Sequence, residues 1–139
     1  MMAEPKKSQR PVPTPTPLTQ PFWEAAKNEQ LVLQFDRQTG ATQFWPRPVS
    51  MNSGRGEMDW RECSGKGALY AWTRVHVPFR GFEDEAPYIV GAVDLVEGAR
   101  IVARLVNTRI EDLTPGMKFR VAWEALADDI NMYVFEPDR

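Results

Sequence analysis

The residue types that most often carry catalysis or bind metals are scarce in this chain. Its 139 residues include one cysteine, Cys63, and one histidine, His76. A single cysteine excludes an intramolecular disulfide framework and a metal site built from several thiolates. No apolar run approaches the roughly 20 residues of a membrane-spanning helix, so we expect no membrane association. Residues 1–17 hold no apolar segment typical of a secretory signal, and this predicts a cytoplasmic protein.

An excess of positive charge is also absent. The chain has 17 Lys and Arg residues against 19 Asp and Glu residues, for a net charge of −2. Dedicated nucleic-acid binders usually carry a net basic face, so nucleic acid is an unfavoured partner. The hydrophobic share of 42% and the charged share of 26% are ordinary for a globular protein. We therefore expect one domain, or one domain with a small appendage.

The first eighteen residues differ in composition from the rest of the chain. They hold five prolines and few large apolar residues, a pattern that favours extended conformations without a packed core. This predicts a disordered, proline-rich tail over residues 1–18. Lys6, Lys7 and Arg10 could contact an acidic partner, although a solvated leader is the simpler interpretation.

A short helix is predicted after the tail. Thr19 is a candidate N-cap, Pro21 is tolerated in the first turn, and Phe22 and Trp23 supply an apolar side. A helix of this length is unstable alone, so its aromatic pair must dock on something. Two alternatives remain open, packing within the chain or contact with a partner.

The remainder of the chain is predicted to be β-structure. Short segments of alternating or β-branched residues are separated by turns that contain glycine or proline. Eight segments show this pattern, at residues 31–35, 42–45, 58–63, 68–77, 88–95, 100–106, 117–125 and 131–135. Many short strands without a long helix predict a small barrel of the oligonucleotide/oligosaccharide-binding (OB) type.

One face of the predicted strand 68–77 combines aromatic and basic side chains. Strict alternation would place its polar and aromatic residues opposite the core face, beside arginines of the neighbouring strand. The residues predicted to form this face, as a binding site for an anionic, partly aromatic ligand or for a partner, are Tyr70, Trp72, Arg74, Arg100 and Arg104. Packing inside the protein, a protein interface and a nucleotide-like ligand are the three alternatives for it.

The loop after this strand is a second candidate contact surface. Phe79 and Phe82 flank Arg80 and Gly81 beside an acidic stretch. Aromatic residues in a loop are costly to leave in water, and such loops often carry recognition. We therefore predict a partner interface made by Phe79, Arg80 and Phe82, together with Phe22 and Trp23 if the helix is not covered internally.

The order of several segments resembles the DUF35 family. The resemblance covers residues 19–137 and rests on PFWEAAKNEQLVLQ, TGATQFWPRPVS, SGKGALYAWTRVHVPF, APYIVGAVDLVEGARIVARLVN, EDLTPGMKFRV and YVFEP. It implies a mainly β protein with an N-terminal helix and rubredoxin-like ribbon over residues 19–63. An OB-fold barrel of five strands would follow over residues 64–139.

The family usually carries two C-x-x-C pairs that bind zinc in this ribbon. The corresponding positions in this chain are Asp36 and Thr39, then Ser50 and Ser53. Structural zinc requires thiolate or imidazole ligands in tetrahedral positions, and these four side chains supply neither. We therefore predict no zinc. Asp36 and Ser50 are expected to hold the turns by hydrogen bonds to backbone amides, and a protein partner could also clamp the ribbon.

The resemblance also implies a function. DUF35 proteins resemble accessory partners of thiolase-superfamily enzymes. This chain would accordingly be a non-catalytic subunit that binds an acyltransferase, aldolase or condensing enzyme in a hetero-oligomer. It would help to bind or channel acyl-CoA thioesters, with no tightly bound cofactor of its own.

Catalysis by the chain alone is not predicted. A Cys63–His76 pair would be separated by most of a strand, at about 3.3 Å per residue. The alternative function is a single-stranded nucleic-acid binder, because OB barrels use stacked aromatics and a basic groove for that purpose. A free-standing acyl-CoA carrier or hydrolase ranks last, since no base and nucleophile are placed together.

Overall fold

The computed structural model describes residues 10–139, and within them the chain forms one α-helix and eight strands. A single 3₁₀ turn, Ile110–Asp112, lies between the sixth and seventh strands. The elements in chain order are α1 (Gln20–Lys27), β1 (Leu31–Asp36), β2 (Thr42–Gln43), β3 (Met58–Cys63), β4 (Lys66–Val75), β5 (Tyr88–Leu95), β6 (Arg100–Leu105), β7 (Lys118–Ala127) and β8 (Ile130–Pro137). No helix in residues 10–139 is long and apolar enough to cross a bilayer.

The last five strands close into a barrel in the order β4-β5-β6-β8-β7. All neighbours are antiparallel except β6 and β8, which run parallel with Leu105 beside Phe135. Alternate residues of each strand point inward, and the most deeply buried are Leu69, Val93, Ile101, Phe119 and Phe135. A Cβ on Gly91 would lie 2.7 Å from a methyl group of Leu105, so any larger residue there would force the Leu105 side chain to move. The predicted mainly β architecture with a five-stranded OB barrel is confirmed.

The N-terminal strands form a separate three-stranded sheet in the order β2-β1-β3. β1 pairs antiparallel with β3 along its whole length, from Leu31 opposite Cys63 to Asp36 opposite Met58. β2 is shorter than the predicted segment 42–45. Phe44 leaves the ladder to pack against Tyr133, with ring centroids 5.6 Å apart.

Helix α1 joins the sheet to the barrel through an aromatic cluster. Phe22 and Trp23 are 1% and 3% exposed. The Phe22 ring lies 5.0 Å from that of Trp23 and 5.9 Å from that of Tyr133 on β8. Packing within the chain is therefore the alternative that the structure supports. The proposed role of Phe22 and Trp23 as a partner surface is corrected, since apolar rings gain more from burial in this core.

The segment before the helix packs against the barrel. Of the predicted tail, residues 1–9, with Lys6 and Lys7, lie outside the described residues. Residues 10–16, termed the N-terminal strap, form no helix or strand, and Arg10 forms ion pairs with Glu85 and Glu124. The C-terminal end of the strap is held by hydrogen bonds between Thr16 and Thr19. The Thr16 amide donates to Thr19 Oγ1 at 2.9 Å, so the Thr19 hydroxyl secures the strap and makes no side-chain cap bond to the helix.

Candidate functional site

The predicted aromatic and basic face of β4 is interrupted by a β-bulge. Leu69 pairs with Val93 but Ala71 pairs with Ala92, so Tyr70 is an extra residue in the strand. An extra residue inverts the alternation beyond it. Trp72 consequently packs against the core, whereas Tyr70 is 57% exposed. The prediction that Tyr70 and Trp72 share one face is corrected for this reason.

Tyr70 forms a local unit with β6. The Arg100 guanidinium lies over the Tyr70 ring, 3.6 Å from its centroid. Arg100 also donates to both carboxylate oxygens of Asp94, at 2.6 and 3.1 Å. The hydrogen bond from Arg100 lowers the pKa of the Asp94 carboxyl below its ordinary value. The charge of Arg100 is thus balanced within the chain, and one face of Tyr70 is covered.

The other two predicted arginines occupy separate places. Arg74 lies 3.6 Å from Glu111 as an ion pair. Arg104 forms ion pairs with both Glu85 and Glu124. Arg104 comes four positions after Arg100 on β6, a distance of about 13 Å along a strand. The five predicted binding residues therefore do not converge on one groove, and each arginine has a carboxylate partner.

The loop between β4 and β5 presents the most exposed apolar residues of the barrel. Val77 is 86% and Phe79 is 75% exposed, and Arg80 is exposed beside them. Phe82 is half-buried, with its ring 5.3 Å from that of Tyr88 and 4.8 Å from the Arg10 guanidinium. The predicted interface loop is thus divided into an outward part at Phe79 and Arg80 and an inward part at Phe82.

The four positions of the family's zinc ligands lie in two similar turns. The first knuckle is residues 36–40 and the second is residues 50–54. Each ends in a glycine with positive φ, +74° at Gly40 and +73° at Gly54. Ser50 Oγ donates a hydrogen bond of 2.5 Å to Asp36 Oδ2, and both side chains are 2% exposed. The two knuckles are therefore joined through Asp36 and Ser50.

The same two side chains also hold the backbone of their own turns. Asp36 Oδ1 accepts from the amides of Gln38 and Thr39, at 2.7 and 3.2 Å. Ser50 Oγ accepts from the amides of Asn52 and Ser53, at 3.0 and 3.2 Å. The side-chain oxygens of Asp36 and Ser50 therefore accept hydrogen bonds from backbone amides, as predicted from their residue types. Within residues 10–139 no group of three or more His, Cys, Asp or Glu side chains could hold a metal ion.

Acid is expected to loosen the knuckles through Asp36. Hydrogen bonds from Ser50 and Ser53, with those from the turn amides, hold the pKa of Asp36 far below its ordinary value of 3.8. A carboxyl with a depressed folded-state pKa adds stability above its unfolded-state pKa, and this is lost as pH falls from about 4 toward the folded value. Urea unfolding of the wild type and Asp36→Asn should therefore differ at pH 7 and converge as pH falls below about 4. Equal differences at pH 7 and pH 3 would contradict this role.

The lone thiol is not activated. Cys63 is 7% exposed in the core at the end of β3. Burial, with a smaller effect of Glu97, raises the pKa of Cys63 to about 12. The thiolate is the nucleophilic form of cysteine, so this thiol stays protonated near neutral pH. His76 is exposed beyond the end of β4, at the opposite end of that strand from the Ser64–Gly65 turn that follows Cys63.

Comparison with known sequences gives a consistent set of relatives. A family profile for the C-terminal OB-fold domain of ChsH2 matches residues 60–124. A DUF35 domain-containing scaffold protein of Methanocaldococcus jannaschii is 37% identical over 68 residues, covering 49% of this chain and 48% of that protein. A probable enoyl-CoA hydratase alpha subunit of Thermomonospora curvata is 32% identical over 118 residues, covering 84% of this chain and 36% of that protein. The chain thus spans about half or less of the length of these two relatives.

Solved structures share the whole arrangement. A chain described as Ltp2-ChsH2(DUF35) aldolase superposes with a TM-score of 0.79 at 28% identity, covering 91% of this chain and 98% of that chain. A DUF35-family protein of unknown function from Sulfolobus solfataricus shares the fold, with a TM-score of 0.60 at 9% identity, covering 88% of this chain and 86% of that chain. The profile, the scaffold-protein relative and the near-complete superposition together show that the chain is similar to DUF35-family proteins, in sequence over about half of its length and in fold over 91% of it.

Proposed function

We propose that the chain is a non-catalytic subunit that docks on an acyl-CoA enzyme of the thiolase or aldolase type and helps to bind its thioester. The observation that carries this proposal is the superposition over 98% of a chain described as part of an Ltp2-ChsH2(DUF35) aldolase. Relatives described as a scaffold protein and as an enoyl-CoA hydratase subunit support the same class of role. The partner would supply the nucleophile, because the Cys63 thiol is buried and protonated.

The outward part of the β4–β5 loop is the proposed docking surface. Val77 and Phe79 expose apolar side chains next to the cation of Arg80. Aromatic residues and arginine are enriched among the residues that dominate binding energy, and they act when a partner excludes water from them. Phe79 is free to enter a pocket of the partner, whereas Phe82 fixes the base of the loop by packing on Tyr88.

The alternative of single-stranded nucleic-acid binding is disfavoured by the charge pairing. Binding of that kind needs a basic groove with open aromatic faces. Arg74, Arg100 and Arg104 are each paired with a carboxylate, and Arg100 covers the Tyr70 ring. At these three positions, the barrel surface that would bind bases therefore has no positive charge without a carboxylate partner.

Truncation of Phe79 is expected to weaken the complex without affecting the fold. The full chain would be co-expressed with the thiolase- or aldolase-type enzyme of the same organism, and the affinity measured by calorimetry. Loss of a central aromatic residue costs about 2 kcal/mol or more, so Phe79→Ala should bind about 30-fold more weakly. Val96→Ala, in the β5–β6 turn with a side chain 72% exposed, is the matched control and should bind normally.

Two results would contradict the proposal. If the wild-type chain and the enzyme elute separately at micromolar concentration, the subunit role fails. If they associate but both alanine variants bind equally well, the subunit role stands and the loop is not the docking surface. Titration of a coenzyme A thioester into the chain, the enzyme and the complex then tests thioester binding, which should be strongest in the complex.

A further inference from the structure

An apolar cavity of about 250 Å³ lies where β6 and β8 meet. The pairing of these two strands is limited to Leu105 beside Phe135, so backbone hydrogen bonds do not close the remainder of the seam. The wall is apolar and comes from four strands, with Val90, Val102, Leu126, Met132 and Val134 as its main residues. The cavity opens to solvent beside Val102, which is 59% exposed. The docking surface at Phe79 borders it but does not occupy it.

Four charged residues form a closed ring beside the cavity, and three of them, Arg10, Arg104 and Glu124, line it. Arg10 and Arg104 each form ion pairs with both Glu85 and Glu124, so charges of opposite sign alternate around the ring. The two arginine side chains are only 13% and 16% exposed. The ring has no net charge, and each guanidinium already faces two carboxylates. It therefore has no spare charge for a charged ligand.

The N-terminal strap forms one side of this cavity. Arg10 and Pro11 line it, and the Arg10 guanidinium also stacks over the Phe82 ring. The strap is fixed at its other end by the reciprocal bonds of Thr16 and Thr19. A segment that is anchored at one end and held by ion pairs at the other can swing away when those pairs exchange with water.

We propose that this cavity binds the hydrocarbon part of a small ligand, a medium-length alkyl chain with an uncharged polar head, under the cover of the strap. Apolar cavities of about 150 Å³ accept benzene, so this one accommodates a larger group. It is smaller than the roughly 300–1,000 Å³ of sites that enclose drug-sized ligands. A carboxylate head would lose its hydration without finding an unpaired cation, since Arg10 and Arg104 each already face two carboxylates, so an uncharged head is favoured. The inference goes beyond the proposed function, because binding needs no second protein.

Titration of the full-length chain with 1-octanol tests the site directly. Backbone amide resonances of Val102 and Val134 should shift saturably, and those of the two knuckles should not. Octanoate has the same chain length and a charged head, and it should bind at least about tenfold more weakly because its carboxylate would lose hydration without gaining an unpaired cation. Absence of saturable shifts with 1-octanol, or tighter binding of octanoate, would overturn the proposed ligand class.

Two surface variants distinguish the cavity from nonspecific binding. Val102→Lys places an ammonium group at the cavity wall on an already exposed residue, so the fold should persist while octanol affinity falls at least about tenfold. Val96→Lys adds the same charge at a residue 72% exposed that does not line the cavity, and it should bind normally. Equal binding by both variants would show that the ligand lies elsewhere.

Arg10→Ala tests the strap as a cover. It removes two of the four ion pairs of the ring and leaves the apolar wall intact. Octanol should still bind, with faster exchange between free and bound forms. If this variant loses binding, the strap is a fixed wall of the site and its role as a cover is wrong. None of these outcomes depends on whether the chain associates with an enzyme.

Discussion

Cysteine at positions 36, 39, 50 and 53 is expected to turn the two knuckles into a structural zinc site. The knuckles retain the spacing and the glycine-ended turns of a ribbon, and their leading side chains, Asp36 and Ser50, are already in contact at 2.5 Å. Four thiolates satisfy tetrahedral zinc. The apparent binding energy of structural zinc in small peptides is about 10–16 kcal/mol, so thermal stability should become strongly dependent on metal.

Melting of this fourfold variant with zinc and with a chelator is the measurement. The variant should hold one zinc per chain and lose much of its stability when the metal is removed. The matched control is Asp36→Cys with Ser50→Cys, which supplies two thiolates and should bind zinc far more weakly. A fourfold variant that melts identically with zinc and chelator would show that the knuckles no longer have ribbon geometry.

Replacement of Phe22 by alanine is expected to be the most damaging single substitution in the helix. The ring is 1% exposed and contacts the aromatic rings of Trp23, Phe44, Trp45 and Tyr133. These neighbours belong to the helix, to the segment after β2 and to β8, so no single element can collapse into the gap. Truncation of a buried phenylalanine costs about 3–5 kcal/mol, much of it from the cavity that remains.

Denaturant unfolding followed by tryptophan fluorescence measures this loss. Phe79→Ala removes the same side chain from a position 75% exposed and should change the free energy of unfolding by no more than about 0.5 kcal/mol. If Phe22→Ala were as stable as Phe79→Ala, the helix would not be the link between sheet and barrel. A loss confined to one of two separate transitions would show that sheet and barrel unfold independently.

The sequence was sufficient for the barrel and for the knuckles. Alternation in segments such as 117–125 reports which side of a strand is buried, and turn residues report where strands end. The family resemblance placed Asp36, Thr39, Ser50 and Ser53 at the two knuckles, and Asp36 and Ser50 were predicted to hold the turns because their side-chain oxygens accept local amide hydrogens. These features are determined by residues that are close together in the sequence, so short segments are enough to predict them.

The candidate site was harder because its determinants are not local. The bulge at Tyr70 adds one residue to β4. Tyrosine is compatible with either face of a strand, so the sequence pattern does not reveal the position of the bulge. Arg10 sits in a proline-rich segment and finds Glu124 at a separation of 114 residues. The amino-acid composition of this segment predicted disorder, because composition carries no information about a carboxylate that is distant in the sequence. The segment that this contact holds in place forms one side of the cavity, so the sequence pattern did not predict the cavity either.

The bond between Ser50 and Asp36 also bears on the conditions under which the protein can work. A ribbon held by sulfur and zinc fails when the cell is starved of the metal, which leaves the site empty, or exposed to peroxide, which oxidises the thiolate ligands. Here oxygen atoms and amide hydrogens make the cross-link, and Cys63 is withdrawn into the interior. Neither scarcity of zinc nor oxidative stress should unravel this end of the molecule.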